Sequence, residues 1–154
     1  MKEHHYRNLG IMAVLSFIAM YVLMYAMVNS LDDVYNNVNQ VYMAGLMAAP
    51  MVVIELVVMR AMYDNVRLSA LLIAASVVAG VAFFLFIQQQ TAVGDHQFLR
   101  SMIPHHSAAI LMCREASLED EEITRLCQGI ISSQQREIDQ MNGILQRLRS
   151  TSRQ

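Results

Sequence analysis

Hydrophobic positions along the chain form three long blocks, and a polar segment follows them. Every residue from Leu9 to Val28 is apolar, aromatic, Gly or Ser. The second block, Val41–Met59, is broken only by Pro50 and Glu55, and the third, Leu68–Ile87, carries no charge. A run of about 20 such residues matches the thickness of a bilayer's hydrocarbon core. The pattern therefore predicts three membrane-spanning helices at these positions.

Lys and Arg in the short loops predict the orientation, because these residues favour the cytoplasmic side of a membrane. Lys2 and Arg7 precede the first block, and Arg60 and Arg67 lie between the second and third. The segment 29–40 contains neither Lys nor Arg. We expect a cytoplasmic N-terminus in a bacterial plasma membrane. Everything after the third block then lies in the periplasm or outside the cell.

The segment after the third block is periodic rather than continuously apolar. Residues 89–94 form a short polar linker. Apolar and histidine positions then recur at three- and four-residue steps over 95–116, and a second such pattern covers 123–148. These patterns predict two amphipathic helices joined by a short turn, a helical hairpin over residues 95–150. Pro104 predicts a kink or a fresh helix start inside the first of them.

The predicted fold class is all-α, with three transmembrane helices in a membrane domain of residues 1–88 and the hairpin after it. Two helices alone cannot enclose a core, because each apolar stripe is covered on one side only. A second copy of the chain would complete a four-helix bundle with twofold symmetry. Packing of the hairpin onto the membrane spans is the alternative. We expect membrane lipid and a second copy as partners, in a dimer or a higher homo-oligomer.

The first hairpin helix carries side chains that bind soft metal ions. On an ideal helix Met102, His106 and Cys113 fall within about 40° of one another, and His105 and Met112 follow the neighbouring edge. Two imidazoles and two thioethers favour copper, especially Cu(I), over Mg²⁺ or Ca²⁺. Paired histidines in a bundle also serve as satisfied core polar groups, so both interpretations stay open.

The same residues belong to a longer pattern that resembles a known family. The pattern is Asp95-x-x-Phe98-x-x-x-Met102-Ile103-Pro104-His105-His106-x-x-Ala109-x-x-Met112, followed by Ile131-x-x-Gln134-x-x-Glu137-Ile138-x-x-Met141. It resembles the family called domain of unknown function 305. The resemblance implies a ferritin-like hairpin on a membrane anchor, and copper binding outside the cytoplasm.

The resemblance also implies specific ligands. Met102, His105, His106 and Met112 would bind the metal, and Met141 of the second helix is a weaker candidate. Weaker still are Asp95, Cys113, Cys127 and Glu137. In the same pattern, Asp95, Gln134 and Glu137 are candidates to orient the histidines by hydrogen bonds. The two cysteines lie at similar distances from the turn, and a disulfide, free packed thiols and metal ligation all remain open.

Two methionine stripes in the predicted spans offer a separate hypothesis. They consist of Met12, Met20 and Met24 in the first span, and Met43, Met47, Met51 and Met59 in the second. Such stripes can pass Cu(I) between thioethers, but Met is also an adaptable filler of packing surfaces. Glu55 lies on the second stripe, between Met51 and Met59. An ionisable group inside a membrane is a functional candidate, with a structural hydrogen bond as the alternative.

These observations predict a membrane-anchored copper-binding protein that captures, buffers or shuttles copper and exchanges it with other copper proteins. We do not expect an enzyme. Di-iron bundles use Glu-x-x-His, and here Met102 takes the glutamate position before His105. The alternative is a structural or signalling adaptor whose histidines bind no metal. A net charge of -2 and the absence of a basic block argue against a nucleic-acid partner.

Overall fold

Residues 3–151 fold into five α-helices with short 3₁₀ turns between some of them. A computed structural model describes residues 3–151, and no strand occurs in that part of the chain. The helices are α1 (Glu3–Leu23), α2 (Val38–Val58), α3 (Val66–Gln88), α4 (Asp95–Glu115) and α5 (Glu121–Thr151). The 3₁₀ turns are Met24–Met27, Leu31–Asp33 and Arg60–Met62. The all-α prediction is confirmed.

Three of these helices are long and apolar enough to cross a membrane, as the three blocks predict. The candidate spans are His4–Met27, Val38–Val58 and Val66–Gln88. Each span begins a few residues before its apolar block, because the residues that precede the block are also helical. Lys2, one of the four basic residues behind the predicted orientation, lies outside the described residues.

The chain divides into two compact units. The membrane-helix unit contains residues up to Met24 and Asn39–Thr91, and the hairpin unit contains Tyr25–Val38 and the chain from Ala92 onward. The sequence predicts a single division near residue 88. The structure instead groups Tyr25–Val38, here called the cover loop, with the hairpin.

In the membrane-helix unit, a small cluster of buried side chains joins all three helices near one end. Leu9, Leu56 and Tyr63 form its centre. Further along α2, Gly45 faces the ring of Phe83, and a Cβ at this glycine would lie 2.5 Å from a ring carbon. A larger residue at Gly45 would therefore separate α2 from α3.

In the hairpin unit, α4 continues through Pro104 without the fresh start that the sequence allows. A proline has no N–H, so the carbonyl of Arg100, four residues earlier, loses its usual helical donor. The side-chain amide of Asn37 in the cover loop donates to this carbonyl at 3.5 Å, a long hydrogen bond. Asn37 is buried. The cover loop thus supplies a donor where the proline removes one.

Further contacts fasten the cover loop along the hairpin. The hydroxyl of Ser107 donates to Oδ2 of Asp33 at 2.6 Å and accepts the backbone N–H of Asn29 at 2.9 Å. The hydroxyl of Tyr35 donates to Oδ1 of Asn142 on α5 at 2.9 Å, and the Tyr35 ring packs against the hairpin core. The chain itself therefore covers part of the stripe for which a second copy is predicted.

The core of the hairpin lies between α4 and α5. It consists of Leu99, Ile103, Ile110, Ile138, Met141 and Leu145. At the turn, Oδ1 of Asp120 accepts the N–H groups of Glu122 and Ile123 and so caps α5. Near the turn, a disulfide joins Cys113 to Cys127, with a Cα–Cα distance of 5.2 Å. Of the three alternatives for these cysteines, the structure contains the disulfide.

Candidate metal site on the hairpin

Three of the predicted ligands lie on one turn of α4. Met102 lies three residues before His105 and four before His106, so its side chain neighbours both histidines on the helix surface, while the two consecutive histidines point in different directions. His106 is buried, His105 is exposed, and Met102 is half-buried against the hairpin core. The two imidazole centroids are 6.1 Å apart. This turn joins an exposed ring, a buried ring and a thioether.

The ring of His106 is held by hydrogen bonds at both nitrogens. Nδ1 lies 2.9 Å from the carbonyl oxygen of Met102, and Nε2 lies 2.6 Å from Oε2 of Glu137 on α5. A carbonyl oxygen only accepts, so Nδ1 carries a hydrogen, and Nε2 is the nitrogen that a metal would bind. An ionised carboxylate also only accepts. A proton therefore lies between Nε2 and Glu137, and a metal at Nε2 would have to replace it.

The residues expected to orient the histidines have different roles in the structure. The backbone carbonyl of Met102 and the carboxylate of Glu137 both hold the His106 ring, so Glu137 forms the hydrogen bond expected of it. Glu137 contacts the other ring nitrogen, Nε2. At this position the carboxylate would either compete with a metal ion or bind the ion together with His106. In the described part of the chain, neither Asp95 nor Gln134 forms a hydrogen bond with a histidine. Asp95 instead lines a cavity of about 210 Å³ at the other end of the hairpin.

Met112 does not join the other three predicted ligands. It is 60% exposed and lies ten residues after Met102 in an unbroken helix, which is about 15 Å along the axis. A metal–sulfur bond is about 2.3 Å long. Met102 and Met112 of one chain therefore cannot bind the same ion, and the predicted four-ligand set divides into one compact turn and one separate thioether.

The weaker candidates have structural roles. Met141 is 8% exposed and packs in the hairpin core beside Ile103 and Ile138. Cys113 and Cys127 share a disulfide, so neither offers a thiolate. Within residues 3–151, no three His, Cys, Asp or Glu side chains form a group that could hold a metal. A metal site on α4 therefore needs the Met102 thioether or a ligand from outside the chain.

In the membrane-helix unit, Glu55 and the methionine stripes have ordinary surroundings. Oε1 of Glu55 accepts a hydrogen bond from the Tyr63 hydroxyl at 3.3 Å. Burial of Tyr63, and then the charge of Glu55, raise the pKa of that hydroxyl, so it keeps the proton that it donates. The thioether of Met12 accepts from the Ser16 hydroxyl. The stripe residues Met43 and Met47 on α2, and Met59 just after it, are exposed on the unit's surface, and Met51 is half-buried.

The sequence reasoning misses the contribution of the cover loop beside the site. Ser107, which follows His106, is completely buried and bonds to Asp33. The available signal is the pair of acidic residues Asp32 and Asp33, in a segment whose lack of basic residues otherwise only predicts orientation.

Comparisons with known proteins place these features in a family. Residues 55–145 match the family described as Domain of unknown function (DUF305), a region that begins within α2 and includes α3, α4 and most of α5. A protein of Acanthamoeba polyphaga mimivirus, named Uncharacterized protein L153, is 34% identical over 138 residues, covering 88% of this chain and 89% of that protein. No solved structure matches. Since the matched region is more than half of its length, the chain belongs to the DUF305 family.

Proposed function

We propose that this protein is a membrane-anchored copper-binding protein that captures or buffers Cu(I) on the α4 helix. Met102, His105 and His106 are the proposed ligands, and copper is bound as cargo rather than used in a reaction. The observation that carries the proposal is the position of these three side chains on one helical turn, where the Nδ1 hydrogen bond leaves Nε2 of His106, now in contact with Glu137, as the nitrogen that would bind the metal.

The donor set fits Cu(I) better than the common hard or borderline ions. Imidazole together with thioether is a soft set, and Cu(I) accepts low coordination numbers. A structural zinc site would need four ligands, mostly Cys or His, and the described residues offer no such group. With one proposed site per chain, each chain would bind few copper ions. This favours capture or exchange over bulk storage.

The proposed orientation puts the N-terminus in the cytoplasm and the hairpin unit outside it. Its support is the pattern of Arg7, Arg60 and Arg67 around the apolar helices, because basic residues favour the cytoplasmic side. Alkaline phosphatase fused after residue 151 should be active in cells, since it folds only outside the cytoplasm. An inactive fusion whose fluorescent-protein counterpart is bright would reverse the orientation.

Titration of Cu(I) against a coloured chelator tests the binding proposal. The full chain in detergent is the material, because the hairpin unit includes the cover loop and a fragment starting at residue 95 lacks it. The triple variant Met102→Ala/His105→Ala/His106→Ala should lose at least about tenfold in affinity, the scale on which site perturbations act. Wild-type affinity in this variant would refute the proposal.

Two matched controls separate ligation from folding. His96 is exposed on the first turn of α4, away from the proposed turn, so His96→Ala should bind Cu(I) like the wild type. Met141→Leu removes a thioether while preserving the volume of a buried side chain, and it should also leave the affinity unchanged. A loss in either control equal to that of the triple variant would show that the effect is not specific to the turn.

One observation favours a second candidate function. Both nitrogens of His106 already have protein partners, as expected of a histidine whose role is only to join α4 to α5 by hydrogen bonds. In this reading the hairpin is an adaptor that binds another protein without metal. The same titration separates the two, because an adaptor would show no difference between the wild type and the triple variant.

A further inference from the structure

A groove at one end of the membrane-helix unit has the shape and composition of a lipid site. It lies between the end of α2 and the start of α3 and has a volume of about 670 Å³. Pockets of about 300–1,000 Å³ are typical of small-molecule sites. Its walls are mainly aliphatic, from Leu56, Val57, Val66 and Ile73. These residues belong to candidate membrane spans, so the groove meets lipid rather than water along much of its length.

One charged residue, Arg60, lines this groove. It lies in the 3₁₀ turn just after α2, and its exposed guanidinium has no hydrogen-bond or ion-pair partner in the described part of the chain. The nearby carboxylate of Glu55 does not line the groove and already accepts from Tyr63. The groove thus has a free cation and no anion in its walls.

The groove has a cation at one end and aliphatic walls along the rest, which matches the anionic head group and acyl chain of a phospholipid. Arg60 lies beyond the end of an apolar helix, where a membrane interface would be. Ile73 lies seven residues into α3 from Val66, about 10 Å further along that helix. A head group at Arg60 would leave an acyl chain running towards Ile73. A soluble anion would satisfy Arg60 but leave the aliphatic walls uncovered.

We propose that this groove binds one anionic glycerophospholipid, with its phosphate on Arg60 and an acyl chain between α2 and α3. Arg suits this role because its planar guanidinium forms paired hydrogen bonds with phosphate oxygens. The Ser69 hydroxyl at the groove is already bonded to the Tyr6 hydroxyl at 2.9 Å, so Arg60 provides the main polar contact. The site is separate from the proposed copper turn, and its test does not depend on copper.

Native mass spectrometry of the full chain in detergent, with phosphatidylglycerol or phosphatidylcholine added, tests the proposal. Wild type should bind phosphatidylglycerol about fivefold more tightly, since an Arg near anionic lipid contributes about that factor. Arg60→Gln should reduce this binding to the phosphatidylcholine level. Arg67→Gln is the matched control, because Arg67 is exposed in the first turn of α3, near the same end of the unit, but does not line the groove.

Two further arms examine the acyl-chain part of the site. Ala70→Phe places a ring in the groove while keeping Arg60, and it should weaken binding of both lipids. Inorganic phosphate at millimolar concentration should not displace the bound lipid. Equal losses in Arg60→Gln and Arg67→Gln would overturn the proposal in favour of a general charge effect. Unchanged binding in Ala70→Phe, or displacement by phosphate, would overturn the groove as the acyl-chain site.

Discussion

The buried hydroxyl of Ser107 provides a direct test of the contact between the cover loop and the hairpin. This hydroxyl donates to Asp33 and accepts from the backbone of Asn29, and both partners lie in the cover loop. Ser107→Ala removes both hydrogen bonds and leaves a largely buried carboxylate without this donor. We expect the cover loop to open more often while the helices of the hairpin remain formed.

The size of the effect follows from the two bonds. A hydrogen bond to a charged acceptor contributes about 1.5–3 kcal/mol, and a neutral one about 0.5–1.5 kcal/mol. The loss for Ser107→Ala is therefore about 2–4.5 kcal/mol. At about 1.4 kcal/mol for each factor of ten, amide protection in the cover loop should fall roughly a hundredfold.

Hydrogen–deuterium exchange of the full chain, read on peptides covering residues 25–38, measures this effect. Ser101→Ala is the matched control, because the Ser101 hydroxyl only donates to the Phe98 carbonyl within the same helix. This control should change protection in the cover loop by less than about twofold, as a surface substitution does. If Ser107→Ala and Ser101→Ala behave alike, the cover loop is not held by this network.

Three further outcomes are expected. Replacing Cys113 and Cys127 by Ser removes a cross-link over 14 residues and should lower the stability of the hairpin unit by about 3 kcal/mol. Thermal unfolding measures this loss. Reductant should cause the same loss in the wild type and no further loss in the variant. Glu137→Gln should raise Cu(I) affinity by up to about fivefold, because Glu137 holds the proton that competes with the metal at His106. The half-exposed His106–Glu137 pair contributes at most about 1 kcal/mol, which sets this limit. A loss of about tenfold in affinity would instead make Glu137 a ligand. Asn37→Ala removes the hydrogen bonds from its side-chain amide to the carbonyls of Arg100 and Tyr35 and should cost about 1–2 kcal/mol of local stability by exchange, less than Ser107→Ala because both acceptors are neutral; unchanged exchange in residues 25–38 would contradict this role of Asn37.

The helices themselves were predictable from the sequence, because their patterns are long and of two distinct kinds. Continuous apolar blocks predict spans, and the structure has a suitable helix at each block. Three- and four-residue periodicity predicts the hairpin, and α4 and α5 follow it. These signals depend only on residues near one another in sequence.

The contribution of the cover loop was not predictable from the same signals. Its contacts join residues far apart in sequence, such as Asn37 with Arg100 and Tyr35 with Asn142. No periodicity reveals such pairs. The proline in α4 gives a partial signal, because it leaves one carbonyl without its helical donor, but it does not identify the residue that supplies another.

The candidate site was predicted only in part, for a geometric reason. Residue type and spacing select Met102, His105 and His106, and a single helical turn holds them together. Including Met112 in the same site would require the helix to bend sharply or restart at Pro104, and α4 continues instead. The partner of Nε2 on His106 comes from α5, so the 31 residues that separate it from Glu137 conceal it from a local pattern.

The cover loop is separated along the chain from the hairpin to which it is bonded. The chain leaves the membrane-helix unit at Tyr25, returns to it at Asn39 and leaves it again at Ala92, so the hairpin unit consists of two separate segments. The family match, residues 55–145, contains α4 and most of α5 but not the cover loop. The contacts of Asp33 and Asn37 with α4 are therefore made by residues outside the matched region. Because Ser107 and His106 are consecutive on α4, a change in the cover loop acts one residue from the proposed ligand turn, although no cover-loop residue is itself a proposed ligand.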